Sequence, residues 1–175
     1  MPGPLTAVPN AAPRVASEEG RTMSISGDWY NEIGSHMRIT VDPAGGVQGT
    51  YFSATGHAVG GYPLVGRYEA AAAADRGTPL GWTVAWRNER TDAESVTSWS
   101  GQYHEDGEER ICAAWLLTVS AIAANTWEST AVGRDVFTRQ PPSPEDAERR
   151  LRHAGAASRP GPAGIGTGIG EVTPA

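Results

Sequence analysis

Glu94-Ser95-Val96-Thr97-Ser98-Trp99-Ser100-Gly101-Gln102-Tyr103-His104 reads as one β-strand, and its reading decides the fold. Residues i, i+2 and i+4 of a strand share a face, so Ser95, Thr97, Trp99 and Tyr103 project together. The same count groups Trp82, Val84 and Trp86 in Gly81-Trp82-Thr83-Val84-Ala85-Trp86. It also pairs Trp29 with Asn31, Tyr51 with Ser53, Trp115 with Leu117 and Asp135 with Phe137. A face that mixes indoles with hydroxyls, an amide and a carboxylate cannot close into a dry core, because each unpaired buried polar group costs about 2–7 kcal/mol. It can close around a polar ligand. Trp86, Trp99, Trp115 and Trp127 all fall in strand-like runs and read as walls of such a pocket, whereas Trp29 and Trp82 read as core closing one end of a barrel.

Outward from this stretch, eight strand signals follow one another, at about 25–31, 37–41, 47–53, 62–69, 80–88, 94–104, 110–120 and 127–138. Turn residues separate them: Asp42-Pro43-Ala44-Gly45-Gly46, Gly60-Gly61, Asp75-Arg76-Gly77 and Glu105-Asp106-Gly107. No amphipathic helix of useful length interrupts the series. Eight antiparallel strands with short connections predict an all-β, up-and-down barrel with an interior wide enough for one small ligand. Three regions are expected: a disordered segment over 1–23, rich in Pro and Ala, the barrel over 24–138, and a tail over 139–175. The tail opens with Ser143-Pro144-Glu145-Asp146, a helix start with Ser143 as N-cap and Pro144 at the first helical position. Residues 154–175 return to Gly, Pro and Ala and are expected to be disordered.

The chain of 175 residues is long enough to bury a core. Its net charge of −6 argues against nucleic acid or an anionic membrane as partner. All 14 basic residues are arginine, which excludes lysine chemistry such as Schiff-base formation. Cys112 is the one cysteine, so neither an internal disulfide nor a cysteine-based metal cluster can form. The four histidines, His36, His57, His104 and His153, are scattered without metal-ligand spacing, and no metal or cofactor is expected. Met1-Pro2-Gly3-Pro4-Leu5-Thr6 has neither the basic start nor the apolar run of a signal peptide, and no stretch approaches a transmembrane length.

Six segments in order, Gly27-Asp28-Trp29-Tyr30-Asn31-Glu32-Ile33-Gly34-Ser35, Gly49-Thr50-Tyr51-Phe52-Ser53, Gly81 to Trp86, Thr97 to Tyr103, Trp115-Leu116-Leu117-Thr118 and Trp127 to Asp135, closely resemble the avidin/streptavidin family of biotin-binding proteins. The likeness runs from about Ser26 to Phe137. It implies a non-enzymatic protein that sequesters biotin. Asn31, Ser35 and Tyr51 match the donors to the ureido oxygen, and Ser53 and Asp135 match the acceptors for its two N–H groups. Thr97 matches the hydroxyl facing the thioether, and Ser95 matches one that holds the valerate carboxylate. Thr55, Gly56 and His57 match the loop whose backbone also holds that carboxylate. Trp86, Trp99, Trp115 and Leu117 would enclose the apolar body, with Trp127 entering a neighbouring subunit's pocket.

The resemblance therefore implies a homo-oligomer, a tetramer before a dimer, and an extracellular protein. Thr55 and His57 depart from the residues most relatives carry. Arg134 does so at a subunit contact, where it would face its own symmetry mate. Two other classes compete: a lipocalin-like barrel for a different ligand, which would tolerate loss of Asn31, Ser35, Tyr51 and Asp135, and an esterase or amidase acting on biotin conjugates. The last would need a nucleophile such as Ser35 in contact with a base.

Overall fold

The expected strands form, and each pairs with its successor. The computed structural model describes residues 25–55, 60–73, 75–87 and 94–153. Strands β1 (Gly27–Asn31), β2 (His36–Val41), β3 (Gly46–Phe52), β4 (Tyr62–Tyr68), β5 (Thr78–Trp86), β6 (Ser95–His104), β7 (Arg110–Val119) and β8 (Thr130–Thr138) close into one antiparallel barrel. A helix, α1 (Pro144–His153), follows β8. Its start is as expected: Ser143 Oγ accepts the Asp146 N–H at 3.1 Å, which gives one otherwise orphaned helix donor a partner.

The pairing is uneven around the barrel. The β6–β7 ladder runs from Ser95↔Val119 to His104↔Arg110, and β5–β6 runs from Thr78↔Tyr103 to Trp86↔Ser95. The seam between β1 and β8 is made by Tyr30↔Thr138 and Asn31↔Phe137 alone. Just beyond it, where β1 has ended, the Glu32 carboxylate accepts the Val136 N–H at 2.9 Å. A side chain there stands in for the missing strand.

Trp127 departs from the expected strand. It sits in a 3-10 helix, Ala123–Glu128, and β8 begins only at Thr130. The reason is local: Asn125 N–H bonds Ile122 O, Thr126 Oγ1 bonds Ala123 O, and Ser129 Oγ bonds Thr126 O. Short polar side chains that bond backbone a turn away compete with a ladder, and here they win.

Alternation sorts the strands as the sequence implies, with β6 alternating between buried and exposed residues from Ser95 to Trp99. The interior has two ends of different character. At the end where β1 starts and β8 finishes, Trp29 is fully buried, its Nε1 donating to Ile25 O at 2.9 Å and its ring meeting Tyr103 edge-on. Arg139 closes this end. Its guanidinium lies 3.7 Å from the Trp29 ring centroid, bonds both oxygens of Glu109 and donates to Ser26 O and Asp28 O. Polar groups collect at the opposite end, where β1, β3, β5 and β7 finish and β2, β4, β6 and β8 begin.

Arg139→Ala should lower stability by about 2 kcal/mol in urea denaturation, since it removes a ring contact and leaves Glu109 without its cation. Arg139→Lys should recover less than half of the loss, because an ammonium cannot reproduce the two-pronged geometry. An unchanged midpoint in Arg139→Ala would contradict this account of the closed end.

Candidate ligand-binding site

At the polar end, the turn after β1 ties down one atom of a side chain and leaves another unused. Asn31 ends β1, and its Oδ1 accepts the N–H of Ser35 at 2.8 Å and of Ile33 at 3.3 Å. Gly34 takes a φ of 87°, which lets the chain reverse within this turn. With its oxygen committed, the amide keeps Nδ2 inside the barrel. That atom is buried and has no hydrogen-bond partner. Ser35 Oγ accepts the Ala54 N–H at 3.1 Å, linking the β1–β2 turn to the chain leaving β3.

Tyr51, on β3, is fully buried and its Oη also lacks a partner. Its ring stacks on Trp99 at 5.1 Å and meets Trp86 edge-on at 5.6 Å, so the phenol cannot swing away to find one. Burial pushes its pKa well above the usual 10, with the charge of Asp135 adding to the effect and Ser35 opposing it. At neutral pH it is therefore an O–H donor. Ser53 and Thr55, both half-buried, form a small serine turn in which Ser53 Oγ accepts Thr55 N–H at 3.2 Å and donates to Thr55 O at 3.0 Å.

Across the barrel, Trp86 Nε1 donates to Thr97 Oγ1 at 2.8 Å and Trp99 Nε1 donates to Asp135 Oδ2 at 2.9 Å. Burial raises the pKa of Asp135 to about 7, against the opposing N–H of Trp99, while the charge of Glu32 raises it further and Asn31 and Trp115 oppose. Ser95, Leu117 and Trp115 are buried on the same wall, and Trp115 Nε1 has no partner.

Asn31, Ser35, Tyr51, Trp86, Ser95, Thr97, Trp99, Trp115, Leu117 and Asp135 are thus all buried in one barrel interior, with Ser53 and Thr55 half-buried at its polar end. Gly56 and His57 lie outside the described residues. Trp127 is not among the interior residues: it is 97% exposed on the outside of the 3-10 helix.

Two features do not follow from strand alternation. Asp135 is expected to await a donor from a ligand, but it already has Trp99 Nε1, a diagonal contact that a two-residue period does not reveal. Trp82 is expected to be plain core, yet its Nε1 is buried without a partner. Among the described residues, the buried side-chain polar atoms without partners are Asn31 Nδ2, Tyr51 Oη, Trp82 Nε1 and Trp115 Nε1, all able to donate. Each such group costs about 1–3 kcal/mol when left unsatisfied. Donors held rigidly at this cost, beside a buried carboxylate, form a site suited to a small ligand with an acceptor oxygen and N–H groups.

The raised pKa of Asp135 has a sign that can be tested without ligand. Between about pH 4 and 7 the folded barrel holds a proton that the unfolded chain has released, so this group's contribution is present below that window and lost as pH rises through it. Thermal unfolding of the ligand-free protein should show a loss of stability on the order of 4 kcal/mol at most between pH 4 and 7, and Asp135→Asn should flatten that slope. An identical slope in the two proteins would place the titration elsewhere.

The Avidin family model matches residues 19–140 of this chain. Avidin of Gallus gallus is 34% identical over 126 residues, covering 68% of this chain and 80% of avidin. Afifavidin of Afifella pfennigii is 31% identical over 131 residues, covering 73% of this chain and 76% of that protein. Fibropellin-1 of Strongylocentrotus purpuratus is 32% identical over 125 residues, which make 70% of this chain but 11% of fibropellin-1. The likeness spans the eight strands and every described residue of the site, and the chain belongs to the avidin family.

Proposed function

We propose that this protein binds and sequesters biotin inside its barrel. A member of the avidin family is a binding protein and not an enzyme. The observation that carries the finer reading is the pair of unpartnered buried donors, Asn31 Nδ2 and Tyr51 Oη, in the same interior as a buried carboxylate. A ureido group presents the complement: one carbonyl oxygen and two N–H groups.

In this reading the oxygen accepts from Asn31, Tyr51 and Ser35, which draw negative charge onto it as an oxyanion hole would. One N–H donates to Asp135 and the other to Ser53. Thr97 faces the thioether, and Ser95 with the 55–57 loop holds the valerate carboxylate. Trp86, Trp99, Trp115 and Leu117 enclose the ring system. The 24–138 region is the binding unit, with the flanking segments outside it.

Hydrolysis of a conjugate is less well supported. Ser35 Oγ accepts a backbone N–H from Ala54 and faces Tyr51, and among the described residues no hydrogen bond joins it to a base such as Asp135 that could activate it. An extracellular location belongs to the same family-based reading. Among the described residues no helix is long and apolar enough to cross a membrane.

The reading includes a homo-oligomer, a tetramer before a dimer, with Trp127 entering a neighbour's pocket. Its support is the outer wall of β6–β8. Leu116 and Val132 are register partners, 53% and 67% exposed, and they border an outer hollow of about 490 Å³. Val96 and Trp127 add further exposed apolar surface. A second copy covering this wall would explain why so much apolar area faces outward on three adjacent strands. Arg134 also borders the hollow, and its charge counts against a tight contact between identical faces.

Titration calorimetry with free biotin, and with desthiobiotin as a weaker competitor, should give one site per chain. Asp135→Ala should weaken binding by about 1–3 kcal/mol, roughly fivefold to 150-fold. Unchanged affinity in that variant would remove Asp135 from the site. Trp127→Ala should both weaken biotin binding and reduce the assembly size seen by light scattering. A variant that binds and assembles like the parent would separate Trp127 from both roles.

A further inference from the structure

We propose that Gly133 is a positioning residue: by carrying no side chain it lets the Trp115 indole lie across the backbone of β8, and so sets one wall of the pocket. The inference deepens the biotin-binding reading and rests on it for its effect on ligand.

Trp115 on β7 and Gly133 on β8 are register partners. A Cβ added to Gly133 would stand 2.1 Å from Trp115 Cζ2, 2.5 Å from Cε2 and 2.8 Å from Cη2. These are closer than carbon atoms approach, and all three belong to one rigid fused ring. A flexible side chain could turn its far end away, but an indole must move as a whole. The requirement is for space and not for an unusual backbone, since Gly133 is absent from the glycines with positive φ.

The surroundings leave the indole little choice. Inward positions on β8 run Ala131, Gly133, Asp135 and Phe137, so the bare position is the one opposite Trp115. On its other flank Trp115 is paired with Trp99, which is itself buried and donates to Asp135 at 2.9 Å. A methyl group at 133 would therefore drive Trp115 either toward Trp99, disturbing its hold on Asp135, or into the space a ligand would occupy. In both cases the unpartnered Trp115 Nε1 loses its present position. The Trp115 wall of the site depends on one missing Cβ.

A double-mutant cycle tests this on the full chain, with two readouts. Without ligand, Gly133→Ala should change the near-ultraviolet circular dichroism of the tryptophans, and the same substitution in a Trp115→Phe background should change it little. With biotin, Gly133→Ala alone should speed dissociation at least tenfold, whereas adding it to Trp115→Phe should cost less than twofold. Equal effects of Gly133→Ala in both backgrounds would overturn the proposal, because the strain would then lie in the β8 backbone. If Gly133→Ala alone does not fold, the double variant decides: a folded barrel with the properties of Trp115→Phe supports the proposal, and an unfolded one overturns it. A parent protein that binds no biotin but shows the expected spectral cycle would reject the biotin reading and keep the positioning role.

Discussion

The hydrogen bond from Trp99 Nε1 to Asp135 Oδ2, 2.9 Å long and buried among aromatic rings, is the contact on which the interior depends. A carboxylate removed from water needs a donor, and an indole that supplies one is itself fixed in place. Trp99 then stacks on Tyr51 and on Trp82, so the position of one carboxylate is passed on to two further rings. Tyr51 cannot turn, and its hydroxyl is held without a hydrogen-bond partner. An interior of this kind persists only because the surrounding strands cannot close in to satisfy the polar atoms. Preorganisation here amounts to polar atoms kept waiting by a rigid wall.

That rigidity is distributed differently at the two ends. At the closed end, Arg139, Glu109, Trp29 and Tyr103 satisfy one another, and none of them holds one of the unpartnered buried donors found among the described residues. At the open end, the β1–β2 turn satisfies one atom of Asn31 and withholds the other, with Oδ1 bonded and Nδ2 free. The same barrel is a finished core at one end and an unfinished one at the other. Its exterior is divided as well, since Leu116, Val132 and Trp127 make an apolar wall on β7, β8 and the adjoining 3-10 helix.

Much of this is legible in the sequence, for a physical reason. A two-residue period is a property of strands themselves, so counting alone puts Ser95, Thr97 and Trp99 on one face, and the strand series with its turns is enough to imply the barrel. What stays hidden depends on contacts between strands or on competition over a few residues. The Trp99–Asp135 bond joins β6 to β8 across β7, and no local pattern encodes it. Trp127 sits beside a strand in sequence, but Thr126 and Ser129 bond their own backbone and turn that stretch into a 3-10 helix. The role of Gly133 likewise becomes visible only when the indole opposite it is in place.

The short seam between β1 and β8 also bears on the order in which the barrel assembles. Its residues are the most distant in sequence of any paired strands, and they bring the fewest ladder bonds to offset the entropy of joining the two ends of the barrel. Meander hairpins, whose partners are close in sequence, can form first, and the seam closes last. Asn31 lies on one side of that seam and Asp135 on the other. A ligand bonded to both would act as a clasp across the joint, so the protein that holds it would in turn be slowed from opening by it.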